Sequence, residues 1–388
     1  MEDPTSNPFE FGRELALADL VDREEELAEL QRAGRECRKH FLIGPRRFGK
    51  SSLLAALEET AGKERGGPIV LRYNAERFSG PDRLARRLVA DAAARLPGSV
   101  ERIAGAIKRL FRSLRPELSY SPDTRSWSAS IGVAAAQDAL PALADALDGV
   151  ERMAKDLDRP VAIVLDEFQH LVAGGAQAES QIRAAVQQHR HVAYIFAGSD
   201  TRLLTAMVGE AGRPFYRLGS RRFLGPIPRA AFAGFLGRGL AAVADVTDDG
   251  IAAILDLAED VPYNVQLLAH ACWEAAREAS AAVTRAFVER VNRATAERQN
   301  PVYAQLWSSL TMAQQRTLLA IIYQGDEGLA STKVARAYGL PVTTIQRARE
   351  ALMAKQVVRE EASGSRLRLR LEDPLLGAWV RLFIPGPA

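Results

Sequence analysis

His40-Phe-Leu-Ile-Gly-Pro-Arg-Arg-Phe-Gly-Lys-Ser-Ser-Leu-Leu54 is the stretch that decides the fold of this 388-residue chain. The apolar run Phe41 to Ile43 reads as a short buried strand. Gly44 follows, then four residues, then Gly49-Lys50-Ser51, and then an apolar helical pattern through Leu53, Leu54 and Leu57 that stops at Gly62. This is G-x-x-x-x-G-K-[ST] between a strand and a helix, the setting in which a loop cradles phosphate. Gly44 and Gly49 are expected to let the backbone turn so that successive N–H groups face phosphate oxygens. The helix adds the positive end of its dipole. Pro45, Arg46, Arg47 and Phe48 complete the loop and Ser52 follows it. Lys50 would reach the β- and γ-phosphates, and the Ser51 hydroxyl would hold Mg²⁺.

Working outward, Pro160-Val-Ala-Ile-Val-Leu-Asp-Glu-Phe-Gln-His170 is the second informative stretch. Five consecutive apolar residues, Val161 to Leu165, predict a strand buried on both faces of a parallel sheet. Asp166 and Glu167 sit where that strand emerges. Asp166 suits Mg²⁺, because a hard cation prefers carboxylate oxygen. Glu167 is placed to orient and polarise an attacking water, the step that separates hydrolysis from binding. The next strand, His191 to Asp200, ends in Gly198-Ser199-Asp200. Ligands of open α/β sheets gather at the carboxyl ends of strands, so Ser199 or Asp200 is a candidate nucleotide-state sensor, with plain turn chemistry as the alternative. Arg202, Arg213, Arg217, Arg221 and Arg222 follow. One of them, with Arg217 as the choice, would serve as an arginine finger in cis or from a neighbouring subunit; surface placement is the alternative. His189 and His191 lack a suitable third ligand, so no metal site is expected there.

The other elements follow from periodicity and end signals. Residues 8–20 form an approach segment. A helix starts at Val21-Asp-Arg-Glu-Glu-Glu-Leu27 with Asp22 as N-cap and Leu27 and Leu30 on the buried face. Pro68 to Asn74 reads as a strand, and 81–96, 100–114, 139–157 and 179–190 as helices. A small hairpin or ordered loop is expected within 116–136, and a last core strand over 221–227. The composition then turns Ala- and Leu-rich, with helices at about 229–242, 248–258, 262–279 and 284–297, an all-α lid. Pro262 opens one of these helices and would bring its N-terminus near the nucleotide. The expected domains are thus an approach segment (1–20), a P-loop core (21–227), a helical lid (228–305) and a tail domain (306–388).

The tail reads as helix, Gly-containing turn and helix over Ser331 to Leu352, followed by a hairpin, Val357–Glu360 and Arg366–Leu371. Residues 330–371 hold nine Lys or Arg against three Glu, although the whole chain carries only +3. Ile345, Ala348 and Leu352 would face the core, which leaves Thr344, Gln346, Arg347 and Arg349 as candidates for double-stranded DNA contact. A winged helix used only for protein packing is the alternative. Two cysteines, Cys37 and Cys272, supply no disulfide framework. An acidic, polar N-terminus is unlike a signal peptide, and no apolar run reaches the length of a membrane span. A soluble, cytoplasmic protein without membrane partners is expected.

With these parts assembled, the chain resembles the archaeal ATPase family of the STAND/AAA+ group, whose members are similar in architecture to origin-recognition initiator ATPases. The resemblance rests on Asp22-Arg-Glu-Glu-Glu-Leu27, Gly44 to Ser51, Leu165-Asp-Glu-Phe168, Ala197-Gly-Ser199, Pro262-Tyr263, and Leu371-Glu-Asp-Pro-Leu-Leu-Gly-Ala-Trp379. It implies an α/β P-loop NTPase core of the ASCE/AAA+ kind, an all-α lid and a C-terminal winged helix-turn-helix domain. It also implies ATP as the nucleotide, Arg23 and Pro262 among its contacts, and slow hydrolysis to ADP and phosphate that drives a switch between core and lid. The expected output is coupling to DNA. The alternative is a signalling ATPase whose output is a protein partner or self-assembly.

Overall fold

The computed structural model describes residues 6–132, 139–325, 328–329, 331–363 and 366–386. The chain packs into two compact units. The sheet unit comprises Glu14–Pro45 and Gly49–Gly225; the helical unit comprises Met1–Arg13, Arg46–Phe48 and Pro226–Ala388.

In the sheet unit, α1 (Glu24–Arg35) leads to β1 (Lys39–Ile43), α2 (Lys50–Lys63), β2 (Ile69–Asn74), α3 (Pro81–Arg95) and α4 (Val100–Leu110). The hairpin β3 (Glu117–Ser121) and β4 (Ser126–Ser130) comes next, then α5 (Ala139–Asp156), β5 (Val161–Asp166), α6 (Ala176–Gln188), β6 (Val192–Gly198), α7 (Thr201–Gly209) and β7 (Ser220–Phe223). Strands β2, β5, β6, β1 and β7 lie side by side in that order, and every pairing is parallel. The run Val161–Leu165 is fully buried, as a strand covered on both faces requires. Strand β6 therefore separates the strand before the phosphate loop from the strand that ends in the two acids. Register brings Ile43 beside Gly198 and Asn74 beside Asp166, so the carboxyl ends of three central strands finish at one level.

An aromatic cluster anchors that end from below. Phe168 lies 4.7 Å from Phe196, and Phe41 lies 4.9 Å from Phe196, ring centre to ring centre. All are fully buried, and such pairs add about 0.5–1.5 kcal/mol each beyond their area. Phe168 thus clamps the turn just after Glu167.

Two local expectations are corrected. Asp22 does not cap α1: it takes a left-handed φ of 50°, the N-cap position falls to Arg23, and no side-chain cap bond forms. Leu30 is buried but Leu27 only half so. Strand β7 stops at Phe223 rather than Ile227, because Leu224 turns in against Gly44 and Pro226 and Pro228 offer no N–H to a ladder.

The helical unit contains α8 (Arg229–Leu240), α9 (Asp248–Leu257), α10 (Pro262–Ala279), α11 (Arg285–Arg298), α12 (Asn300–Ser308), α13 (Met312–Gln324), α14 (Thr332–Ala337) and α15 (Val342–Ala354). The antiparallel hairpin β8 (Val358–Ser363) and β9 (Arg366–Leu371) follows, then α16 (Pro374–Phe383). Residues 228–305 and 306–388 share this unit. Asn264 of α10 donates to Asp373 at 2.9 Å, and Trp379 of α16 donates to Asn300 at 2.9 Å. An apolar core built on Leu318, Ile345, Leu352, Val358, Leu376 and Trp379 of the tail also takes in Ala296 and Tyr303 of the preceding helices. Ala348 and Leu352 are buried on α15 with Ile345. Phe9 of the approach segment is buried against Gly239, where a Cβ would come within 2.5 Å of its ring.

Candidate functional site

Gly49 and Gly44 serve the phosphate loop in different ways. Gly49 takes a left-handed φ of 86° and caps the start of α2, a conformation open to Gly at no steric cost. Gly44 has no such conformation; its role is close approach. A Cβ there would lie 2.8 Å from the Leu224 carbonyl oxygen, on the chain leaving β7. The loop backbone bends with Gly49 and with Arg47, whose φ is 68°. Lys50, 5% exposed, donates from Nζ to the carbonyls of Gly44 and Pro45, each at 2.8 Å. Its ammonium is thereby held across the mouth of the loop. Ser52 is engaged elsewhere, accepting from the Leu15 N–H at 3.0 Å.

Ser51 Oγ donates to Asp166 Oδ2 at 2.9 Å, which joins the helix after the loop to the acidic end of β5. Asp166 is 1% exposed, and burial raises its carboxyl above the usual carboxylate range; the Ser51 hydrogen bond partly opposes that, and the Glu167 charge adds to it. A desolvated carboxylate beside a hydroxyl suits a small hard cation. Among the described residues no cluster of three His, Cys, Asp or Glu could hold a metal ion. Ser51 and Asp166 bring together a hydroxyl and a carboxylate, oxygen donors of the kind a hard cation such as Mg²⁺ takes.

Glu167 follows in a left-handed conformation, φ 51° and ψ 43°, strained for a residue with a Cβ. Its Oε2 accepts from Ser199 Oγ at 2.7 Å, the Ser199 N–H at 3.3 Å and Gln169 Nε2 at 2.5 Å. Lys50, Ser51, Asp166, Glu167 and Ser199 thus gather at the carboxyl ends of β1, β5 and β6. Asp200 is used differently: it caps α7 by accepting from the Leu203 N–H at 2.9 Å.

Several other candidates have partners of their own. Arg23 is buried and donates to the Gly225 carbonyl at 2.7 Å and to Glu26 at 3.1 Å. Arg217 is exposed, its guanidinium 5.0 Å from the centre of the Tyr216 ring. Arg213 pairs with Glu179, and Arg222 with Glu25 and Glu29. His189 bonds Tyr194 at 2.7 Å and Asp148 at 2.9 Å. Arg46, Arg47, Phe48 and Pro262 belong to the helical unit. There the Tyr263 N–H donates to the Arg47 carbonyl at 3.2 Å, and the Arg47 guanidinium meets Asp373 Oδ2 at 2.9 Å and lies 5.1 Å from the Tyr263 ring centre. On α15, Gln346 and Arg347 are exposed, Thr344 is half-buried, and Arg349 is ion-paired with Glu360 of β8. Gln169 was not expected at the site; the only signal is its place two residues after Glu167.

Residues 34–207 match the family model described as "AAA domain". Among solved structures, a Walker-type ATPase of Pyrococcus abyssi is similar at 16% identity and a TM-score of 0.62, covering 96% of this chain and 99% of that one. The ORC2 protein of Aeropyrum pernix, in ADPNP-ADP complexes, is similar at 15% identity and a TM-score of 0.55, covering 96% and 94%. At these identities the likeness is one of fold. No curated protein matches the chain. No helix among the described residues is long and apolar enough to cross a membrane.

Proposed function

We propose that the chain is a Mg²⁺-dependent ATP-binding and ATP-hydrolysing switch coupled to DNA. The observation that carries the nucleotide chemistry is the meeting of Lys50, Ser51, Asp166, Glu167 and Ser199 at one end of the parallel sheet. Backbone N–H groups at the start of α2 and the Lys50 ammonium would bind the phosphates. Ser51 and Asp166 would hold Mg²⁺, which when bound supplies charge neutralisation for the phosphate oxygens. Glu167 orients the attacking water and accepts its proton, with Ser199 as the sensor beside it. The choice of ATP rests on the family resemblance.

For the output, α14, α15 and the β8–β9 hairpin are arranged in the order of a winged helix-turn-helix, and Gln346 and Arg347 are exposed on the second helix. The excess of six basic residues over 330–371 supports phosphate contact. One observation favours the alternative of a protein-directed signalling switch: Arg349 is already neutralised by Glu360, and Arg359 by Glu361. Steady-state ATP turnover during a titration with double-stranded DNA, at two salt concentrations, separates the two. Stimulation that fades with salt is expected, because phosphate contacts release counterions. Turnover unmoved by DNA at both salts would transfer the output to a protein partner or self-assembly.

A further inference from the structure

Gln169 stands two residues beyond Glu167, in the short 3-10 turn Phe168–His170, and its amide reaches back to the site. Nε2 donates to Glu167 Oε2 at 2.5 Å and lies 3.3 Å from Ser199 Oγ. Its Oε1 is buried without a hydrogen-bond partner. That orphaned oxygen occupies the space beside Gly198: a Cβ at 198 would lie 2.3 Å from it and 2.7 Å from the Leu204 side chain. The end of β6 thus lacks a side chain where the Gln169 amide passes. A buried acceptor left unsatisfied costs free energy, and such a cost persists where the group's other end has a task. Here that task is the hydrogen bond to Glu167.

We propose that Gln169 is a positioning residue for hydrolysis, acting through Glu167, and that Gly198 is required to admit it. The inference rests on the reading of Glu167 as the residue that orients water. Glu167 Oε2 takes three donors: two from Ser199 and one from Gln169. A carboxylate oxygen offers about two lone-pair directions, so three donors saturate Oε2 and tie the carboxylate to Ser199 and the turn. Glu167 also sits on a strained left-handed backbone, between the end of β5 and the 3-10 turn. Gln169 supplies the donor that Ser199 does not. Its amide hydrogen bonds go to Glu167 and Ser199, and its effect is to hold the carboxylate in the geometry from which it acts.

The test uses the full chain, ATP and Mg²⁺, with ATP affinity measured separately from turnover. Q169L removes the donor at similar volume; kcat is expected to fall on the order of 10- to 100-fold with ATP affinity unchanged. Q169E places a second carboxylate against Glu167, which raises the pKa of one of the two. Its turnover relative to the parent chain should recover as pH falls, since the introduced carboxyl can donate again once protonated. G198A should reproduce the kcat loss of Q169L, and adding Q169L to it should cost little more, because both changes remove the same contact. Equal thermal midpoints for Q169L and the parent chain would separate positioning from folding. If Q169L keeps kcat, or Q169E follows the parent pH profile, while E167Q abolishes turnover, Gln169 has no positioning role and the Glu167 reading stands. If E167Q itself retains turnover, that underlying reading fails instead. A rise of kcat in Q169L would mean that the contact restrains Glu167, which also overturns the proposal.

Discussion

Two carboxylates, Asp166 and Asp373, hold contrasting places. Asp373, half-buried in the helical unit, is satisfied on both oxygens: Oδ1 accepts from Asn264 Nδ2 at 2.9 Å and the Leu375 N–H at 3.1 Å, and Oδ2 from the Tyr303 hydroxyl and the Arg47 guanidinium, both at 2.9 Å. Burial beside it pushes the Tyr303 hydroxyl up, so that phenol stays a donor. Asp166, at the sheet end, is more deeply buried, has a neutral hydroxyl and one N–H as its hydrogen-bond donors, and is held above the usual carboxylate range. A charge surrounded by donors and a counter-ion stabilises the fold. A charge stripped of water, whose hydrogen-bond donors are neutral, is suited to take a cation from outside, and costs stability meanwhile.

Nucleotide affinity left intact by Lys50→Ala would remove Lys50 from the phosphate site. Lys50 holds its ammonium on two loop carbonyls, so its substitution should lower ATP affinity by at least about 100-fold while moving the thermal midpoint little. Equilibrium titration with a fluorescent ATP analogue measures this. Asp373→Ala should do the reverse. It strands Arg47, Tyr303 and Asn264 and removes the cap of α16, so unfolding free energy should drop by about 2 kcal/mol in a denaturant titration. No change would make the Asp373 cluster incidental. The smallest effect sharpens the contrast. A carboxyl whose folded pKa is raised disfavours the fold above that pKa, and the penalty disappears as pH falls below the unfolded value near about 4. Asp166→Asn should therefore stabilise the chain by on the order of 1 kcal/mol at neutral pH, with the gain fading in acid, while Mg²⁺ binding is lost. Stability curves of both proteins at neutral pH and at about pH 4 decide it.

Much of the sheet unit was legible because its signals are local. The run Val161–Leu165 must be covered on both faces, and G-x-x-x-x-G-K-[ST] fixes a strand, a loop and a helix within one short stretch. The insertion of β6 between β1 and β5 was not legible, since strand order depends on crossovers rather than on any one segment. The Asx cap expected at Asp22 fails because Arg23 turns inward to the Gly225 carbonyl, about 200 residues away, and displaces the helix start. Arg349 reads as an exposed base on its own helix and meets Glu360 only once the hairpin folds back. Asp373 was visible as part of a family motif, but its partners Arg47, Asn264 and Tyr303 come from three distant segments, so its role as a junction was not. Gln169 escaped for a related reason: its contact depends on the missing side chain at Gly198, on another strand.

The most direct test of the central claim compares Glu167→Gln with the parent chain for ATP affinity and steady-state turnover in Mg²⁺. The predicted result is affinity within about twofold and turnover lower by at least about 100-fold, because the amide keeps its place beside Ser199 but cannot take a proton from water. Turnover near the parent value, with ATP still bound, would contradict the account and place the water-orienting group elsewhere at the sheet end.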